Sequence, residues 1–300
     1  MDVIPYGGWD RCLRMSAGPV ELIATLEVGP RIVRFGPKGG SNLLFENPRT
    51  MGTKGGPDYK GYGGHRLWTA PEDTVRTYEA DNDPPAVTEV EGGFRLTTVL
   101  GPSGLEKSIT ILANAEQESF TLIHEVTNRG SEPICIAPWA ITVMAAGGVC
   151  LFPQAPERPH AESLLPARPL VLWSYADMSD PRYTWGRRCV RLRQEAGTEP
   201  TKIGAWVEQG YAAYALHGHL FFKRFSGTWG NYPDFGCNFE TFTRHDMLEV
   251  ESLGVLQTLA SGETATHTER WYLEIDAEVP EHDQALSEYL ERLASSRPGV

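Results

Sequence analysis

The segment GYGGHRLWTAPED, residues 61–73, sets two glycines beside His65, Arg66, Trp68 and Glu72. Each side chain brings its own chemistry. An imidazole titrates near neutral pH. A guanidinium offers a planar fork of donors. An indole has a flat apolar face that can stack on a sugar ring. Gly63 and Gly64 permit positive φ and close backbone approach. Such specialists gathered on a loop fit a polar ligand pocket. The structural alternative is a loop whose Trp68 fills the core while Arg66 pairs with Glu72.

A second group lies in TFTRHDMLEVESLG, residues 241–254. In a strand, Glu249 and Glu251 share one face with Met247 and Leu253, because side chains alternate. Carboxylates on so apolar a face are costly unless paired or hydrated. The short link RHD predicts a hairpin that brings Glu240 of NFETFT beside them. Clustered carboxylates push at least one pKa upward, which suits general acid–base work. An exposed edge strand with glutamates in water is the competing reading. A third group, HLFFKRFSGTWGNYPDFGC at 219–237, interrupts an aromatic strand with Lys223 and Arg224 and continues through Trp229, Asn231, Tyr232 and Asp234. Rings mixed with hydrogen-bonding groups suit a small polar ligand; a hairpin loop that packs its rings inward is the alternative. His217 and His219 resemble a metal pair but flank Gly218 at an expected turn. His124 lies on the Phe120, Leu122, Val126 face of its strand and reads as a core residue.

The elements that must position these groups are strands. VELIATLEV, RIVRF, FRLTTVL, LEKSITILA and ESFTLIHEVTN follow one another between turn residues, and the second half repeats the texture. Such runs predict antiparallel strands. Residues 152–186 are rich in proline and poor in pattern, as expected of a long excursion across one face of the sheets. EHDQALSEYLERLASS, 281–296, carries Ala285, Leu286, Tyr289, Leu290 and Leu293 on one stripe and predicts a C-terminal helix. The expected fold is all-β, a β-supersandwich of two large antiparallel sheets in one domain over residues 1–300.

The 300 residues carry a formal net charge of -12. That argues against nucleic acid and anionic membrane surfaces as partners. No apolar run approaches the roughly 20 residues of a spanning helix. The N-terminus shows no signal-peptide pattern. Five scattered cysteines without CxxC suggest neither a zinc ribbon nor a disulfide framework, and point to the cytoplasm. No phosphate loop, GxSxG or HExxH is present, so no metal or cofactor is expected. The expected assembly is a monomer or homodimer.

The order of LEVGPRIVRFGPKGGSNLLFE, GGHRLWTAPE, EVTNRGSEPICIAPWAITV, KRFSGTWGNYPDFGCNFETF and LEVESLGVLQTLASGETATHTERWYLE resembles the galactose-mutarotase-like superfamily of aldose 1-epimerases. It is most similar to the branch known as domain-of-unknown-function family 4380. The resemblance implies a sugar site on the concave face of one sheet. It implies Glu251 as the base that takes the anomeric hydroxyl proton, and His65 and Arg66 as sugar-binding residues. The acid histidine of the epimerases has no counterpart: Trp139, Ala140, Ile141 and Thr142 stand in that neighbourhood. His65 is then the first choice for the acid and His124 the second. Trp68, Glu72, Trp139, Lys223, Tyr232, Asp234, Glu240 and Glu249 are expected to contact the sugar. The readings left open are a 1-epimerase, a non-catalytic carbohydrate-binding protein, and a lyase or hydrolase on the same scaffold.

Overall fold

The computed structural model describes residues 2–197 and 199–300. Two antiparallel sheets face each other. The eleven-stranded sheet begins at its edge with Asp2–Tyr6, Trp9–Ala17, Val20–Thr25 and Arg31–Pro37. It continues through His65–Ala70, Ile134–Ala145, Met247–Leu253, Phe239–Arg244 and Thr201–Ala205 to Leu170–Leu172, with Gln257–Leu259 paired to Ile134–Ala145. The ten-stranded sheet includes Leu105–Asn114, Ser119–Asn128, Thr264–Glu274 and His219–Arg224. The expected β-supersandwich is the observed architecture.

Period-two alternation decides what each face meets. Along Met247–Leu253, Leu248 and Val250 enter the core between the sheets, while Met247 and Leu253 join an apolar group on the opposite face. Along His65–Ala70, Leu67 goes inward and Trp68 and Ala70 outward. Rings from both sheets lock the middle: Phe35 meets Phe120, Phe221 and Trp271 edge-on, with centroids 6.2, 5.4 and 5.3 Å away. Edge-to-face pairs at such spacing add to plain burial.

The helix spans Asp283–Ser296, two residues shorter at its start than the sequence pattern suggests. Leu286 and Leu290 are buried against Leu151, Tyr211, Leu220, Phe222 and Tyr272 on the outside of the ten-stranded sheet. The Asp283 carboxylate accepts the backbone N–H groups of Arg188 and Cys189, pinning the helix start to a neighbouring strand end. The excursion 152–186 supplies Leu170–Leu172 to the edge of the large sheet, paired with Thr201–Ala205. It then lays Trp173 over Lys202. The chain turns at His217 and Gly218, both at positive φ, as the place of Gly218 between two strands suggested.

Candidate functional site

The glycines of the opening segment are required by backbone geometry. Gly63 and Gly64 have φ of +86° and +66°. A Cβ at Gly63 would lie 2.1 Å from the Phe45 carbonyl oxygen, and one at Gly64 would lie 2.1 Å from that of Ile32. The strand His65–Ala70 that follows pairs with Ile134–Ala145, with Trp68 opposite Trp139 and Arg66 opposite Ile141.

The outward face of these strands walls a cavity of about 300 Å³, lined by Arg66, Trp68, Glu72, Trp139, Lys202 and Glu249 among others. Tyr59, Tyr78 and Tyr175 add rings to its rim, and Ile141 lies on its floor. Arg66 Nη2 donates to Glu249 Oε1 at 3.2 Å, and its guanidinium sits 4.3 Å from the Trp68 ring centroid. Trp68 meets Trp139 edge-on at 5.5 Å. Apolar rings interleaved with a few fixed polar groups are what a polar ring ligand needs.

Beside the cavity lies a buried charge cluster. Glu240 and Glu251 face each other across the predicted hairpin. Lys202 Nζ reaches Glu240 Oε2 at 2.7 Å and Glu251 Oε2 at 3.1 Å. Trp139 Nε1 donates to the same Glu251 oxygen at 2.8 Å. The lysine head lies 4.5 and 4.6 Å from the ring centroids of Trp139 and Trp173. One ammonium therefore serves two fully buried carboxyls. Burial raises the Glu240 pKa well above the carboxylate range, and the charge of Glu251 adds to it against the pull of Lys202. Glu249 is raised by burial too, opposed by Arg66 and reinforced by Glu251. Lys202 stays charged: burial works against its proton, but Glu251 and Glu240 outweigh it. Glu251 Oε1 and Glu240 Oε1 are buried without a hydrogen bond among the described residues, and Glu240 Oε2 has the Lys202 ammonium as its partner.

His65 lies on the other side of the sheet from Arg66, fully buried between the two layers. The alternation that turns Arg66 and Trp68 toward the cavity turns His65 away from it. Lys223, also expected at the site, is buried in the same interior. Its Nζ donates to Thr142 Oγ1 at 2.7 Å and the Val250 carbonyl at 2.9 Å, and pairs with Glu269 Oε1 at 2.7 Å. Its three protons are thereby used. The Thr142 hydroxyl must then donate to His65 Nδ1 at 2.9 Å, and His65 Nε2–H to His124 Nε2 at 2.7 Å. His124 Nδ1–H donates to the His267 carbonyl at 3.1 Å. All three imidazoles are neutral: burial drives His65 well below its usual pKa and pushes His124 and His267 down to about 3.

His65, His124 and Glu269 place potential metal-ligand atoms within 4.8 Å of one another. Hydrogen bonds already engage both Nε2 atoms and both Glu269 oxygens, and the Lys223 ammonium sits on Glu269. The group reads as a satisfied polar network, not as a metal centre. The expectation that His124 is a core residue agrees with this.

Tyr232 and Asp234 are not brought to the cavity either. Tyr232 is buried in its own loop, donating to the Thr228 carbonyl at 2.8 Å, and Asp234 stands at a left-handed turn with φ of +48°. Conversely, Lys202, Tyr59, Tyr78, Tyr175 and Arg244 line the cavity without having been singled out. A lysine at the head of the apolar run IGAWV was the legible signal for Lys202. The tyrosines carried none, because distant segments deliver them.

No protein-family model matches the sequence, and no curated protein does. Solved structures do match in shape. A candidate aldose 1-epimerase from Klebsiella pneumoniae superposes with a TM-score of 0.60 at 10% identity, covering 98% of this chain and 86% of the other. A galactose mutarotase-like protein from Lactobacillus casei gives 0.56 at 9% identity, covering 88% and 100%. A galactose mutarotase related enzyme from Lactobacillus acidophilus gives 0.54 at 7% identity, covering 89% and 98%. The chain therefore has the galactose-mutarotase-like fold. At these identities the likeness is one of fold alone.

Proposed function

We propose that the chain binds an aldose ring in the Arg66–Trp68–Trp139–Glu249 cavity and acts on it as a 1-epimerase, with two carboxyls in place of a carboxylate and an imidazole. The observation that carries this reading is Glu249: a carboxyl of raised pKa on the cavity wall, two residues from Glu251 on the same strand face. Neighbouring carboxyls in different environments divide naturally into acid and base. O1 and the ring oxygen are both bonded to C1, so neighbouring carboxyls suit the two proton transfers.

In this mechanism Glu251 takes the proton from the anomeric hydroxyl. The O1 electrons form the C1=O1 double bond, the bond from C1 to the ring oxygen breaks, and the Glu249 carboxyl gives its proton to that oxygen. Rotation about C1–C2 offers the other carbonyl face. Closure reverses both transfers and restores the starting charges. Arg66 and Lys202 hold the carboxyls in place throughout. Glu251 has no exposed surface, so its cover must open before it can reach the sugar.

That burial, together with the absence of a histidine from the cavity lining, favours one second reading: a sugar-binding protein without chemistry. One experiment separates the two. Polarimetry and NMR would follow anomer interconversion across hexoses, pentoses and their phosphates for wild type, Glu249→Gln and Glu251→Gln. The enzyme reading expects about a hundredfold or greater loss in each variant, with binding retained by calorimetry. Binding without any acceleration in the wild type selects the binding protein. The finer placement in family 4380 and the expected cytoplasmic location rest on the sequence alone.

A further inference from the structure

A second cavity, of about 560 Å³, adjoins the first. Tyr78 lines both. Trp68, a wall of the first, also lines a narrow cleft shared with Lys107 and Asp81 of the second. Both volumes fall within the roughly 300–1,000 Å³ of small-molecule sites.

Two polar groups lining the second cavity lack a full set of protein partners. Lys107, on the strand Leu105–Asn114, is 7% exposed. Its backbone N–H donates to Thr98 Oγ1. Among the described residues no hydrogen bond or ion pair engages its Nζ, and burial lowers its pKa against the pull of Asp81 and Glu79. Asp81 gives Oδ2 to Arg31 at 2.7 Å, but its Oδ1 is buried with no partner. The rim is apolar and open: Val75 is 73% exposed and Val99 62%. An orphaned buried polar atom such as Asp81 Oδ1 is costly, and a ligand that completes it recovers the cost. Lys107 needs an acceptor and Asp81 Oδ1 needs a donor. A hydroxyl group is both. The cavity lining sets Lys107 against Glu79, Asp81 and Asp83, so an anionic phosphate is disfavoured, while the Lys107 ammonium works against a free cation.

We propose that this cavity is a second saccharide subsite, so that the natural ligand is a disaccharide or glycoside whose two rings lie on either side of Tyr78. The inference rests on the first cavity being a sugar pocket. Lys107 then fixes a hydroxyl of the second ring, and Val75 and Val99 cover its apolar edge.

Calorimetry with glucose, galactose, mannose and xylose, set against maltose, cellobiose, lactose, mannobiose and xylobiose, tests it. At least one disaccharide should bind tenfold or more tightly than its monosaccharide. Lys107→Met should remove about tenfold or more of that advantage, the worth of one hydrogen bond to a charged group, while leaving monosaccharide affinity unchanged. If Lys107→Met does not fold, reductive ¹³C-methylation of the wild type reports the same amine. Its resonance should move with the disaccharide and stay still with the monosaccharide. Monosaccharide binding with no gain from any second ring overturns the subsite alone, as does an equal loss for both ligands in Lys107→Met. No binding of any saccharide overturns the subsite together with the sugar pocket itself.

Discussion

His124→Gln isolates the linkage between pH and the buried histidine network. His124 is fully buried, and burial pushes its pKa from 6.5 down to about 3. Between pH 7 and pH 5 the folded imidazole stays neutral, while the same histidine in the unfolded chain gains its proton. The unfolded state then binds more protons, so stability falls as the pH falls. Integrating over that range gives about 2 kcal/mol for one histidine of ordinary unfolded pKa. Glu240 and Glu249 act in the opposite sense. Their folded pKa values are raised, so their contribution is full below the unfolded carboxylate pKa and is lost as pH rises through the folded one. The total pH dependence mixes both signs, and only a difference between two proteins separates them. Glutamine keeps a donor and an acceptor near the imidazole position and has no proton to gain. Urea unfolding of wild type and variant at pH 7 and pH 5 gives four stabilities. The wild type should lose about 2 kcal/mol more than His124→Gln on acidification. Equal losses would refute the neutral, buried imidazole and the proton arrangement built on it.

Gly64→Ala should destabilise by about 1–3 kcal/mol or more, read by the same urea titrations, because φ is +66° and the added Cβ would lie 2.1 Å from the Ile32 carbonyl oxygen. Leu290→Ala should cost about 2–5 kcal/mol by loosening the helix from the ten-stranded sheet, with the loss visible as a lower thermal midpoint. If the 1-epimerase reading holds, activity should fall on the alkaline side as Glu249 loses its proton, at a pH above the ordinary carboxylate range. In Arg66→Met burial and Glu251 act on Glu249 unopposed by the guanidinium, so the alkaline limb should move to higher pH; a limb at the same pH would separate it from Glu249.

Alternating sequence was enough to set the strands, the C-terminal helix and the shared face of Met247, Glu249, Glu251 and Leu253. Those features follow from local periodicity and from the need to bury one face. The hairpin that opposes Glu240 to Glu251 was legible for the same reason, since so short a link leaves the two strands little choice. His65 and Arg66 show where such reading stops. Adjacent residues in a strand point to opposite faces, and only the pairing with Ile134–Ala145 and the packing of the second sheet decided that Arg66 meets the cavity and His65 the interior. Lys223 was turned inward by the same alternation, where Glu269, Thr142 and the Val250 carbonyl take all its protons. Lys202 became the partner of two carboxylates because the strand Thr201–Ala205 pairs with Phe239–Arg244, setting Gly204 opposite Glu240. Tyr59, Tyr78 and Tyr175 reach the cavity from three separate loops. Periodicity fixes which way a side chain leaves its own strand; what stands opposite it depends on contacts between residues far apart in the chain, and those exist only once the two sheets have closed on each other.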